Sequence, residues 1–232
     1  MDDPRLERVL AGFAHHAIGG AMTVTDALCA TGVDLLGVDG AGLTLQRPDS
    51  APMPIGASGP VMAQLEELER TLGEGPCVDA FTTGRPVAEP DLATATRWPG
   101  FTAAALAASA RSVFGYPLMM PGGRFGALNL YGARPMTISG QQHDDALALA
   151  RLATHAVLAT LASTAPEALA LELLDVGAHE LVVNQATGMV AEQLGLPTRD
   201  ALARLRARAF ADNRPLSDLA ADVVARRLRF DP

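Results

Sequence analysis

"RSVFGYPLMMPGGRFGALNLYG", residues 111–132, contains two apolar runs rich in β-forming side chains on either side of Pro121-Gly122-Gly123. Proline followed by glycine is a strong turn signal, and a turn between two such runs is typical of a β-hairpin. This stretch therefore predicts a pair of long antiparallel strands.

The segments around this hairpin show a mixture of helix and strand patterns. Upstream, Ala41–Arg47 and Met53–Ser58 flank a Pro-Asp-Ser turn and predict a second hairpin, in which Pro54 confines the later strand to a sheet edge. Periodicity and terminal glycines predict helices at Pro4–Ile18, Thr25–Leu36, Pro60–Leu72, Cys77–Thr82 and Ser139–Ala162, and a short strand at Pro86–Glu89. We therefore expect an α+β domain over residues 1–162, with an antiparallel sheet flanked by helices.

The C-terminal part has only helical patterns. It predicts one helix through "LVVNQATGMVAEQLGLP", residues 181–197, and a second that Thr198 caps and that runs to Ala211. A third helix is predicted through Leu219, Val223 and Leu228. We expect these helices to form a small all-α bundle of three helices over residues 179–232, joined to the sheet domain by a helical linker at residues 163–178.

The formal net charge of −8 is distributed unevenly. Residues 178–232 have eight arginines against seven acids, residues 1–177 have ten against nineteen, and the chain has no lysine. Any bound anion must therefore be held by guanidinium groups, which can bind phosphate in a bidentate manner. We expect the acidic N-terminal part to repel RNA, so that residues 164–232 alone should bind RNA more tightly than the whole chain.

The remaining composition excludes several classes of site. Cys29 and Cys77 are far apart in the sequence, and no Cys/His cluster has metal-ligand spacing, so we expect no disulfide framework, metal, haem or other cofactor. The N-terminus is acidic, unlike a signal peptide, and charges, prolines or glycines interrupt each apolar tract before the roughly 18 residues of a membrane span. The chain is therefore predicted to be cytoplasmic and without membrane contact.

Gly188 interrupts the first helix of the bundle without a turn or cap to explain it. On a helical projection it lies almost opposite the apolar stripe, and an interior glycine costs roughly 1 kcal/mol relative to alanine. An exposed glycine would let a sugar-phosphate backbone approach, and Arg199 and Arg206 on the next helix would bind phosphates. Because the bundle has few aromatic side chains for base stacking, a structured RNA hairpin fits better than a single strand. Close packing of another helix on Gly188, from the N-terminal domain or from a second copy of the chain in a dimer, is the alternative explanation.

The stretch "NQATGMVAEQLGLPTRDALARLRARAFADNRPLSDLAADVVARRL" resembles an ANTAR domain, the three-helix RNA-binding module of transcription antitermination regulators. The resemblance rests on Ala186 and Gly188 followed by Met189, on the "A..RLR" run ending at Arg206, and on the "L..LA..VV" pattern of the last helix. It implies a non-enzymatic regulator that binds tandem RNA hairpins as a dimer. The RNA contacts that it implies are Gln185, Ala186, Thr187, Gly188, Arg204, Arg206 and Arg208, although many members have a lysine where this chain has Thr187.

Residues 71–135 resemble a GAF domain, a fold that senses small molecules, through "TLGEGPCVDAFTTGRPVAEPDL", "RWPGF" and the hairpin quoted above. The resemblance implies that a small-molecule ligand or another signal received there controls dimer geometry or access to RNA. Candidate pocket residues are Cys77, Asp79, Arg97 and Trp98. Because the helix after the hairpin is apolar on more than one face, we expect a homodimer through these long helices.

Two other functions are consistent with parts of the sequence. A three-helix bundle can resemble a helix-turn-helix, which would make the chain a DNA-binding transcriptional regulator with a ligand-sensing GAF domain. Some GAF domains instead reduce free methionine sulfoxide with pocket cysteines. Residues 104–114, "AALAASARSVF", would hold the catalytic thiol of such a reductase, but they contain no cysteine.

Overall fold

A computed structural model describes residues 4–18, 22–48, 50–163 and 181–231. The strands are β1 (Gly40–Leu45), β2 (Met53–Ala57), β3 (Val87–Glu89), β4 (Ser112–Met120) and β5 (Gly123–Gly132). The helices are α1 (Pro4–Ala17), α2 (Val24–Leu36), α3 (Pro60–Leu72), α4 (Pro76–Thr83), α5 (Pro99–Ala107), α6 (Gly140–Ser163), α7 (181–194), α8 (Thr198–Ala211) and α9 (Leu216–Val224). The predicted α+β class is confirmed, whereas residues 164–178 of the predicted linker lie outside the described residues.

The five strands form one sheet in the order β2-β1-β5-β4-β3, and every neighbouring pair is antiparallel. The predicted central hairpin is present, with Met120 of β4 paired to Gly123 of β5 across the turn. The strand that contains Pro54 lies at an edge, where its missing N–H breaks no ladder. Because side chains alternate along a strand, the sheet presents a different set of residues to a helical layer on each face.

The first face of the sheet packs against α2 and α6, and α1 packs on both of these helices. Thr23 caps α2 by accepting the N–H of Asp26 at 3.1 Å. The Arg8 guanidinium of α1 lies 2.7 Å from the buried carboxylate of Asp145 on α6. Because α1 contacts α6 within the chain, part of the extra apolar surface predicted to form a dimer is covered intramolecularly.

One helix meets the length and hydropathy of a membrane span although Arg151 interrupts its apolar tract, as the sequence indicates. Gly140–Ala162 is long and apolar enough for a span, with a mean hydropathy of 1.3 over the relevant window, and it is the one such helix among the described residues. In the fold this helix packs against α2, β4 and α1 as a core helix of the sheet domain.

The second face of the sheet is covered by α3, α4 and α5. Gly73 and Gly84 end α3 and α4 in the left-handed conformation, with φ of 69° and 68°, as expected of glycine C-caps. Glu74, in the loop between these two helices, accepts the N–H of Phe101 at 2.8 Å. This loop therefore also holds the first turn of α5.

The helices α7, α8 and α9 form the predicted bundle around a common apolar core. Two details of the prediction were wrong. Thr198 is the first residue of α8, which Pro197 precedes without a side-chain cap. The third helix ends at Val224, because Arg226 turns the chain with φ 58°. The residues that follow return to α7, where the Phe230 N–H donates to Gln193 Oε1 at 3.0 Å.

Candidate nucleic-acid interface

The solvent face of α7 contains the glycine that the sequence singles out. Exposed residues recur along it at helical spacing: Leu181, Gln185, Gly188, Glu192 and Gly195. A Cβ added to Gly188 would have no neighbouring atom within 4 Å among the residues that the structure describes. The alternative that another helix packs closely on Gly188 is therefore not observed in this part of the chain, and the helix face is open to a bulky partner.

Two of the predicted RNA contacts are core residues. Ala186 is fully buried in the apolar centre of the bundle, and Thr187 is 5% exposed. The Thr187 hydroxyl donates to the Val183 carbonyl at 2.7 Å, which satisfies it within the helix. Their side chains stabilise α7, so only Gln185 and Gly188 of the predicted α7 set are available to a ligand. The RNA contacts of Ala186 and Thr187 were implied by the ANTAR resemblance and not by the periodicity of α7.

The predicted arginines of α8 lie on two different faces. Arg204 and Arg208 are exposed on the same side, one helical turn apart, and Arg208 is paired with Asp212 at 2.7 Å. Arg204 makes no ion pair within the described ranges. Arg206 lies between them in sequence but about 200° around the helix from each, and it points towards the sheet domain. One flat RNA surface therefore cannot contact all three arginines in this arrangement.

The Arg206 side chain lies against the end of α3. Its Nε donates to the Arg70 carbonyl at 3.3 Å, and its guanidinium occupies the space that a Cβ on Gly73 would fill. Burial and, to a lesser extent, the nearby positive charge of Arg70 lower the pKa of Arg206 to about 10. None of the described carboxylates forms an ion pair with this guanidinium.

The chain after α9 brings further cations to the bundle surface. Arg226 and Arg229 are exposed, and the hydrogen bond from Phe230 to Gln193 places this tail beside α7. The predicted third helix extends to Leu228 and therefore contains Arg226. The left-handed turn at Arg226 could not be foreseen, because non-glycine residues seldom adopt it.

Three of the four pocket candidates of the sheet domain come together. Asp79 Oδ2 accepts from Arg97 Nη2 at 2.7 Å and from Trp98 Nε1 at 3.1 Å, and the guanidinium carbon of Arg97 lies 4.3 Å from the centre of the Trp98 ring. Trp98 is 7% exposed and has φ 50°, an uncommon conformation that this network holds at the start of α5.

Cys77 lies apart from that network, in the apolar layer beneath the sheet. Its backbone N–H donates to Glu69 Oε1 at 2.7 Å. Burial raises the pKa of the Cys77 thiol well above its usual value, and the neighbouring Glu69 raises it further. Burial also raises the pKa of the Cys29 thiol. Both thiols are therefore protonated at neutral pH and are poor nucleophiles.

A buried polar cluster beside Cys77 was missed from the sequence. The Thr44 hydroxyl donates to Glu66 Oε1 at 3.0 Å and accepts from Asn129 Nδ2 at 3.1 Å. Glu66 Oε2 and Asn129 Oδ1 are buried without a protein partner among the described residues. The available signal was that Glu66 and Glu69 share the helix face of Met62 and Leu65, which pack into the core.

Burial also changes the protonation of both carboxyl groups in this layer. It raises the pKa of Glu66 well above its usual value, an effect that the Thr44 hydrogen bond opposes. It raises the pKa of Glu69 to about 8, although the Cys77 N–H stabilises the ionised form. Both side chains are therefore neutral or only partly ionised at pH 7.

Comparison with protein families accounts for both halves of the chain. A GAF domain model matches residues 22–160, and an ANTAR domain model matches residues 178–224. The chain belongs to the GAF domain family. It continues into an ANTAR domain, so the combination of the two domains indicated by the sequence is confirmed. No curated protein sequence matched the chain.

Solved structures support the GAF fold. The GAF domain of the Acinetobacter phosphoenolpyruvate-protein phosphotransferase aligns with a TM-score of 0.53 at 14% identity, over 70% of this chain and 98% of that one. The corresponding Coxiella burnetii domain aligns with a TM-score of 0.52 at 13% identity, over 68% and 94%. Free methionine-R-sulfoxide reductase from Neisseria meningitidis aligns with a TM-score of 0.50 at 15% identity, over 70% and 95%. At such identities the likeness concerns the fold alone.

Proposed function

We propose that this chain is a signal-responsive, cytoplasmic regulator that binds tandem RNA hairpins as a homodimer and acts by transcription antitermination. In this proposal the ANTAR domain of each copy binds one hairpin, and the GAF domain receives the signal as a small molecule. Gln185, Gly188, Arg204 and Arg208 contact RNA directly, together with Arg206 once it leaves the GAF domain. Ala186 and Thr187 support α7 from the core.

The open face of α7 at Gly188 is the observation that carries this proposal. A side chain at this position would meet nothing in the described structure, so packing among the described residues of one chain does not require the glycine. Its cost in helix propensity is then explained if a sugar-phosphate backbone approaches the helix closely. The exposed arginines of α8 supply the positive charge that such a backbone needs.

A reductase function has no comparable support. The chain has two cysteines, and both thiols are buried and protonated at neutral pH. Residues 104–114, which form the end of α5 and the start of β4, contain no cysteine. The GAF domain therefore fits a sensory role better than thiol catalysis.

The proposal is tested by titrating the full chain with a tandem-hairpin RNA and with duplex DNA of equal length across a salt series. We expect hairpin-dependent RNA binding that Gly188→Glu abolishes, because the added carboxylate repels phosphate where the backbone must approach. Arg204→Ala should weaken binding and reduce the slope of log K against log salt by about 1, the loss of one phosphate contact.

Gly140→Glu is the matched control for the charge change. Gly140 is also an exposed helical glycine with nothing within 4 Å of an added Cβ, but it begins α6 in the GAF domain. Equal affinity for RNA and DNA would indicate non-specific phosphate binding and would contradict the proposed function, whereas tighter binding to DNA would favour the DNA-binding alternative. Absence of RNA binding at every salt concentration would refute the proposed function.

A further inference from the structure

The ANTAR domain is docked on the GAF domain through α8 and α3. The docking surface, defined here as the seam, joins residues 70–74 to Arg206 and to the first residue of α9. The N–H of Leu216, which has no partner inside its own helix, donates to Thr71 Oγ1 at 3.4 Å. Ala51, from the loop before β2, is 3% exposed and belongs to the apolar core of the bundle.

The seam is not tightly packed. A pocket of about 350 Å³ that is open to solvent lies beside Arg206, between Glu74 and Ala203, and a second open pocket of about 230 Å³ lies beside Phe210 and Ala104. Arg206 and Arg70 are like charges, and the guanidinium of Arg206 is held by one long hydrogen bond to a backbone carbonyl. Contacts of this kind stabilise a domain interface weakly, because the desolvated charge has no carboxylate partner in the described structure.

We propose that the seam is an autoinhibitory contact in which the end of α3 withholds Arg206 from RNA. The inference rests on the proposed function and adds its regulation. Docking on the GAF domain and RNA binding both need Arg206, so the two states exclude each other. A ligand that alters the α3–α4 loop of the GAF domain, which includes Gly73 and Glu74, would then shift the balance between the two states. This steric mechanism is distinct from general repulsion of RNA by acidic residues.

Gly73→Asn in the full chain tests the contact from the GAF side, without substituting any of the proposed RNA-contacting residues. Asparagine tolerates the left-handed conformation of Gly73, but its Cβ would lie 2.4 Å from Arg206 Nη1, so the guanidinium must leave. We expect the variant to bind tandem-hairpin RNA more tightly than the unmodified chain by about 5-fold to 150-fold, the usual range of coupling between two sites.

Gly37→Asn is the matched control. Gly37 is also a left-handed C-cap, at the end of α2 with φ 64°, and nothing lies within 4 Å of an added Cβ. Ala104→Met should strengthen docking of the two domains, the opposite of Gly73→Asn, because a flexible apolar side chain can fill the smaller pocket. It should weaken RNA binding, which keeps the inference testable if Gly73→Asn folds poorly.

Hydrogen exchange supplies a readout of the seam that does not depend on RNA. Faster exchange at Leu216 and along the last turn of α3 in Gly73→Asn, with tighter RNA binding, supports autoinhibition. Faster exchange in Gly73→Asn with unchanged RNA affinity overturns the proposal. Exchange in Gly73→Asn that is no faster than in Gly37→Asn also overturns it. If exchange becomes faster but no variant binds RNA, the proposed function fails and autoinhibition of RNA binding fails with it, although the contact itself is then verified.

Discussion

Gly188 illustrates how a single residue separates stability from function. Because it is exposed and unobstructed, Gly188→Ala should raise the free energy of unfolding of the ANTAR domain by up to about 1 kcal/mol, the difference in helix propensity. The same methyl group should weaken RNA binding by keeping the backbone away. Thermal unfolding and RNA titration of this variant measure both effects. A variant that is more stable and binds RNA as well as before would show that clearance is not the role of this glycine.

Glu69 predicts a dependence of stability on pH. A carboxyl whose pKa is raised to about 8 in the folded chain binds its proton more tightly there than when unfolded. Its contribution to stability is therefore complete below pH 4.5, the ordinary value, and is lost as pH rises to about 8. Buried Glu66 changes stability in the same direction.

Glu69→Gln should flatten this dependence, because the amide oxygen can still accept the Cys77 N–H but does not titrate. We expect the variant and the unmodified chain to have similar melting temperatures at pH 5 and the variant to be more stable at pH 8.5. Glu7→Gln, an exposed carboxylate on α1, serves as the control. Parallel curves for Glu69→Gln and the unmodified chain would contradict the assignment of a raised pKa.

At the scale of elements, close approach of α4 to the sheet depends on a missing side chain. Gly115 of β4 pairs with Asn129 of β5, and a Cβ at Gly115 would lie 2.4 Å from the Pro76 carbonyl oxygen, at the start of α4. Backbone cannot yield as a flexible side chain can. We therefore expect Gly115→Ala to destabilise the GAF domain by about 1–3 kcal/mol, the usual cost of overpacking.

Gly123→Ala is the natural comparison, because Gly123 belongs to the same hairpin and an added Cβ there meets nothing within 4 Å. Chemical denaturation should show a lowered midpoint for Gly115→Ala and almost no change in the midpoint for Gly123→Ala. Equal midpoints would mean that α4 can move away from β4 at little cost. The GAF layer of α3, α4 and α5 would then be more deformable than its packing indicates.

At the scale of the whole molecule, the proposed homodimer has a candidate surface on α1 and α6. Leu6 and Leu10 are each 43% exposed on α1, the helix that packs on α6. Light scattering after gel filtration should give twice the chain mass. Leu10→Glu should shift the protein towards the monomer, because the dimer would bury the new charge in its interface. Met119→Glu, at an equally apolar site that is 47% exposed on β4, should leave the dimer unchanged. A monomeric unmodified chain would contradict the dimer.

The sequence by itself determined most of the elements, because turn residues and apolar periodicity are local properties, and its resemblance to two known families indicated the two domain types. The hairpin of residues 111–132, the edge position of Pro54 and the openness of Gly188 all follow from such local patterns. The tertiary structure alone decided which polar residues become buried. Glu66 and Glu69 share a face of α3 with Met62 and Leu65, but their carboxylates enter the core because Gly42 and Gly75, distant or beyond the helix in the sequence, leave room for them. The position of Arg206 was likewise decided by docking of one domain on the other, a contact between residues more than 130 positions apart that no local pattern encodes.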